Sequence, residues 1–154
     1  MNTNRMAGLV LLGAVAACGL IDSSGDSSPL SFEIREGYYV DPPPPPPHIA
    51  LILTTSTQYP CANYWLESEL SVAGSVLHVD VSDRVRIGDV CLTAIGPAQY
   101  KVALPVTAGT YTLEFARDGV TDRYTVTVTD TAIEIATIEA QFTTPTAVSF
   151  PRGG

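Results

Sequence analysis

The chain has 154 residues, 45 % of them hydrophobic, and carries 8 Lys+Arg against 16 Asp+Glu for a formal charge of −8. That length suits one ordinary domain with tails, and that composition can supply a core. The acidic balance leaves no basic face to neutralise phosphates, so no nucleic-acid partner is expected. The single lysine, Lys101, rules out a polybasic lipid-binding stretch.

Arg5 precedes an unbroken apolar and glycine run, Met6 to Ala17. A membrane-spanning helix needs about twenty such residues, so this shorter run reads as the h-region of a signal peptide over 1–17. It ends in Val15-Ala16-Ala17-Cys18. That ending resembles the bacterial lipoprotein lipobox, an aliphatic residue and two small ones before a cysteine. The resemblance implies that the Cys18 thiol receives a diacylglycerol and that a lipoprotein signal peptidase cuts just before it. Two or more acyl chains give stable anchoring, so the membrane is the first expected partner. Gly19 in place of an aspartate favours the outer membrane in a Gram-negative envelope. Ordinary secretory cleavage at Ala14-Val15-Ala16 is the alternative.

Residues 18–47 read as a tether. Gly19 to Ser31 is small and polar and cannot bury enough surface to order itself. Phe32 to Val40 reads equally as a first strand or as part of the tether. Pro42 to Pro47 is an uninterrupted proline run. Proline fixes φ and lacks an N–H, so the run is expected as polyproline II, roughly 19 Å of stiff spacer between membrane and domain. A docking motif for a proline-binding groove is the rival reading.

From 48 to 145 the pattern is β. Ile49 to Leu53 is continuously apolar, as in a strand covered on both faces. Leu77, Val79 and Val81 alternate with polar residues, as do Val85 and Ile87 and then Tyr100, Val102 and Leu104. The same holds for Tyr111, Leu113 and Phe115, for Tyr124, Val126 and Val128, and for Ile133 and Ile135. Period-two alternation marks strands with one buried face. Turn signals fall at Ser82-Asp83, Gly96-Pro97, Ala108-Gly109 and Asp118-Gly119, the last a strong hairpin signal. The expected fold is all-β, an Ig-like antiparallel β-sandwich, with a tail at 146–154 that frays. The stretch LPVTAGTYTLEFARDG, residues 104–119, resembles a segment of bacterial immunoglobulin-like and transthyretin-like sandwiches. The resemblance implies that Gly109 turns the chain into a strand and that Tyr111 packs near that corner. It implies no activity.

With Cys18 lipidated in an oxidising compartment, Cys61 and Cys91 are expected to form a disulfide. Closing a loop of about 31 residues contributes roughly 3–4 kcal/mol in the chain-entropy account. Trp65 follows Cys61 by only four residues, which departs from true immunoglobulin domains.

Catalytic chemistry has little to build on. The two histidines, His48 and His78, show neither a nucleophile partner nor a zinc spacing. Asp80, Asp83 and Asp89 read as solvated acids rather than calcium ligands. No catalytic residue, metal or cofactor is expected. One stretch stands out: QYPCANYWLESE, residues 58–69, gathers Tyr59, Tyr64 and Trp65 around Cys61. These aromatics form a candidate binding patch for an envelope protein or a glycan, against the alternative that Trp65 packs over the disulfide as core. The expected function is a non-catalytic binding or structural module. A small protease inhibitor presenting Tyr59-Pro60 or Gly96-Pro97 is the alternative, and an enzyme ranks last.

Overall fold

The computed structural model describes residues 28–37, 40–43 and 48–153. The expected signal peptide, the lipobox-like ending with Cys18 and residues 19–27 of the expected tether lie outside the described residues. The fold is all-β, with no helix among the described residues. The strands are β1 (Leu30–Glu36), β2 (Ile49–Tyr59), β3 (Tyr64–Ala73), β4 (Val76–Ile87), β5 (Gly96–Leu104), β6 (Gly109–Arg117), β7 (Val120–Val128), β8 (Ala132–Glu139), β9 (Thr143–Pro145) and β10 (Ser149–Pro151). They form one sheet in the order β10-β8-β7-β6-β4-β3-β5-β2-β1-β9. Its edge strands β9 and β10 are joined by only residues 146–148, so the sheet curls until its two edges lie side by side.

The curl follows from alternation. Phe32 and Ile34 of β1, Leu51 and Leu53 of β2, Leu77 and Val79 of β4, Leu113 and Phe115 of β6 and Tyr124 of β7 all turn inward and are buried. The Phe32 ring lies 4.9 Å from both Phe115 and Tyr124, so β1 faces β6 and β7 across the core. Asp118-Gly119 makes the expected two-residue hairpin, with Arg117 paired to Val120 and positive φ at both turn residues (51° and 79°). That conformation strains residues with a Cβ, Asp and Asn least, and glycine not at all.

Several expectations change. Phe32 lies in a strand, so the sheet begins at Leu30 and not at residue 48. Glu36 pairs with Ile49 and the Gly37 N–H donates to the His48 carbonyl at 2.8 Å. In chain order the proline run therefore falls between two paired strands and not ahead of the domain; Pro44 to Pro47 lie outside the described residues. Ahead of the prolines, Val40 is buried against Ala50 and Ile52 on the outer face of β2, which explains the strand's unbroken apolar run. Nor does the tail fray through its length. β9 pairs with β1 and β10 with β8, Phe150 is buried, and Arg152 grips Glu36 through Nε (3.1 Å) and Nη2 (2.6 Å). The pairing is not purely antiparallel, because β1–β9, β3–β5 and β4–β6 run parallel. Those neighbours are not consecutive in the chain, so hairpin geometry does not constrain them.

Candidate functional site

Two bulges build one end of the molecule. On β2, residues 55–57 lie opposite the single residue Ala98 of β5. The Thr55 hydroxyl fills the broken ladder, accepting from the Ala98 N–H at 3.0 Å with the Ala98 carbonyl 3.3 Å away. On β4, residues 82–84 lie opposite Glu67 of β3, and the Arg84 N–H donates to Ser82 Oγ at 3.0 Å. The Ser82-Asp83 turn signal is thus a bulge inside one continuous strand. Bulges bend and twist the strands that carry them. Beyond these two, the ends of β2 and β4 and the starts of β3 and β5 continue as a tip.

Cys61 and Cys91 are bonded at that tip, with a Cα separation of 5.3 Å. Asn63 reinforces the crosslink. Its Nδ2 donates to the Val90 carbonyl at 2.6 Å and its Oδ1 accepts the Leu92 N–H at 3.1 Å. The Ala62 N–H donates to the Leu92 carbonyl at 3.2 Å. Gly96 allows a close approach here, since a Cβ on it would stand 3.3 Å from the Ala62 backbone. Residues 88–95 are therefore held on one side by a covalent bond and a bidentate amide.

The three expected aromatics all sit at this tip. Tyr59 and Tyr64 stack with ring centroids 4.7 Å apart and an interplanar angle of 26°. Trp65 is 45 % exposed, so it does not serve as core over the disulfide. Its ring edge approaches Gly88, where an added Cβ would lie 3.8 Å away. Sequence reasoning missed the other half of the surface. Val90, Leu92 and Ile95 are 70 %, 56 % and 77 % exposed, large values for three aliphatic side chains within six residues. The available signal was an apolar cluster without strand alternation in a disulfide-flanked loop. Between Ile49 and Leu66, and again between Val90 and Tyr100, the sequence contains no charged residue.

An open groove of about 540 Å³ borders the tip where β3 and β5 share only the Trp65–Gln99 pair. Val40, Asn63, Tyr64, Trp65, Tyr100 and Lys101 contribute to its walls. Burial pushes the Tyr100 hydroxyl above the ordinary tyrosine value, outweighing a hydrogen bond to the Leu70 backbone that lowers it. The groove offers aromatic faces, the amides of Asn63 and Gln99, the Lys101 cation and the Asp41 carboxylate.

The other singled-out residues stay apart. Asp83 lies 4.0 Å from Arg117 Nε, Asp80 pairs in register with Glu69 and Ala116, and Asp89 is exposed. Among the described residues no group of three histidine, cysteine or acidic side chains is placed to hold a metal ion. His78 meets Glu114 at 3.2 Å, and Arg123 meets the same carboxylate at 3.1 Å. Arg123 first, then His78, hold the Glu114 carboxyl below its ordinary value. Tyr111 turns back on its own loop, accepting from the Thr107 N–H at 3.0 Å and lying 3.2 Å from the Thr107 carbonyl. Comparison with protein-family models, curated proteins and solved structures finds no match.

Proposed function

We propose that the chain is a lipid-anchored protein of the bacterial cell envelope, an Ig-like β-sandwich that works as a non-catalytic binding module through its disulfide-pinned tip. The observation that carries this reading is the solvent-facing apolar surface of Trp65, Val90, Leu92 and Ile95 on a rigid loop. Exposing so much apolar area costs solubility, and a monomeric surface that keeps it has a contact to make. The sandwich reading is supported by β1 facing β6 and β7 through Phe32, and by the single residue pair that joins β3 to β5. The anchor reading rests on Val15-Ala16-Ala17-Cys18 after an apolar run, with the other two cysteines already bonded to each other.

The test is the intact mass of the natively expressed chain from the membrane fraction, before and after reduction. The expected species begins at Cys18, carries acyl chains and gains two hydrogens on reduction. An unacylated chain cut near Ala16 overturns the anchor.

A protease inhibitor is the second reading, favoured by the clamped segment that exposes Leu92. Of the two loops first considered, Gly96-Pro97 lies in β5 paired with Tyr59 and Gln58, which leaves Tyr59-Pro60 at the tip. Micromolar protein tested against serine, cysteine and metalloproteases decides it, and a lack of inhibition removes this reading.

A further inference from the structure

We infer that the tip docks on the surface of the bilayer that holds the lipid anchor, with Val90, Leu92 and Ile95 entering the interface and Trp65 lying at headgroup level. The inference rests on the proposed acylation of Cys18, and it names the partner of the same tip.

The first observation is where the chain enters the sheet. Leu30 pairs with Thr55, the Pro29 carbonyl accepts the Ser56 N–H at 3.2 Å, and Ser28 Oγ meets Thr57 Oγ1 at 3.2 Å. From Thr57, β2 runs on to Tyr59 and into the tip. The N-terminal segment therefore joins the domain at the tip end; Gly37 and His48 lie at the opposite end of β1 and β2. Ten residues separate Cys18 from Ser28, a reach of at most about 35 Å. An anchor on that lead holds the domain within touching distance of the bilayer, tip end nearest.

The second observation is the chemistry of the tip. Its segments 56–66 and 90–97 carry no charge in a chain with 24 charged side chains, 8 basic and 16 acidic, while the end of β4 beside them and the residues just after it add Arg84, Arg86 and Asp89. Tryptophan and tyrosine are the residues that favour the membrane–water interface, with an apolar ring and a polar handle. The three aliphatic side chains are each more than half exposed within six residues, and a fluid surface can cover them without a shaped pocket. Backbone groups are costly to bring into lipid unless they are satisfied internally. Here Asn63 takes the Val90 carbonyl and the Leu92 N–H, and the Leu92 carbonyl accepts from Ala62 and Ala94.

Trp65 is the only tryptophan in the chain, so its emission reports on the tip alone. The full acylated protein is reconstituted into phosphatidylethanolamine–phosphatidylglycerol vesicles, with and without lipids brominated in the upper acyl chain. Docking predicts a shift of Trp65 emission to shorter wavelength, quenching by the brominated lipid and protection from acrylamide. The variant L92D/I95D changes exposed side chains; it should keep the far-UV circular dichroism spectrum and still float with vesicles, yet lose the quenching. Trp65 that stays open to acrylamide and unquenched on floating vesicles overturns the docking while leaving the anchor intact. A blue shift that grows with protein concentration in the absence of lipid assigns the tip to a second copy and likewise overturns it. Should the intact mass show no acyl group, the anchor reading fails separately, and the same quenching measured at high lipid concentration still decides the tip.

Discussion

Replacing Asp122 by alanine should remove the largest single polar contribution to the closure of the sheet. The side chain is fully buried in β7. Its Oδ1 accepts the Gln141 N–H at 2.8 Å, and its Oδ2 accepts the Phe142 N–H at 3.0 Å, the Thr143 N–H at 2.7 Å and the Thr143 hydroxyl at 2.6 Å. Truncation orphans two buried N–H groups and one part-buried N–H, while the Thr143 hydroxyl keeps the Tyr124 hydroxyl at 2.9 Å. An unsatisfied buried donor costs about 1–3 kcal/mol. Relief of the carboxylate's own desolvation and entry of water offset part of this, so the expected loss is about 3–5 kcal/mol, in line with breaking other buried charged networks. Domains of this size are stable by only about 5–15 kcal/mol, so the variant should be marginal. At about 4 °C per kcal/mol the melting midpoint should fall by about 12–20 °C.

The damage should also be local. Phe142 stacks under the Arg117 guanidinium at 4.4 Å, its carbonyl accepts the Leu30 N–H at 2.8 Å, and Thr143 opens β9 against β1. Urea denaturation followed by circular dichroism gives the magnitude, and amide exchange at Leu30, Phe142 and Thr143 gives the location. Asp122→Asn keeps one acceptor oxygen and should lose about half as much. Asp122→Ala combined with Thr143→Val should cost less than the two changes added, because they share one hydrogen bond. A loss below about 1 kcal/mol for Asp122→Ala, against the 1–3 kcal/mol of even one orphaned donor, would refute this account.

Two further outcomes test the tip and the wet face. Cys61→Ser with Cys91→Ser should lower stability by roughly 3–4 kcal/mol on the loop-entropy estimate, with amide exchange rising most at Leu92; unchanged exchange there would mean that Asn63 alone holds the loop. Glu114 is held below its ordinary value by Arg123 and His78, so its contribution is full above that value, 4.5, and is lost as pH falls through the lowered one. Glu114→Gln should therefore cost up to about 1 kcal/mol at neutral pH, the scale of a surface pair. The gap between the two proteins, measured by urea denaturation, should close on acidification; a gap that widens would reverse the assigned sign.

Local pattern carried much of the architecture. Alternation in Tyr111–Phe115 and Tyr124–Val128 together with Asp118-Gly119 specified the β6–β7 hairpin, because both period and turn geometry are properties of neighbouring residues. The disulfide was expected from the cysteine count once Cys18 was set aside, and the aromatic cluster beside it from the residues 58–69 themselves. β3 was not, since only Leu66 is fully buried among its ten residues and Ser68 occupies an inward position. Ser82-Asp83 misled for a related reason: a bulge and a turn use the same small polar residues, and only the partner strand distinguishes them.

What the sequence determined by itself was composition-level and local: a β fold, one hairpin, one crosslink. Tertiary structure alone decided that β1 and β2 pair on either side of the proline run, that the tail bridges both edges of the sheet, and that Val90, Leu92 and Ile95 face solvent beside Trp65. Each of these depends on contacts between residues distant in the chain, such as Glu36 with Ile49, Arg152 with Glu36 and Asn63 with Val90. A loop's polarity does not reveal which strands it connects, and an apolar side chain does not reveal whether a partner covers it. Burial is a property of the assembled sheet, so the exposed tip became visible only once the rest of the apolar surface had been accounted for inside it.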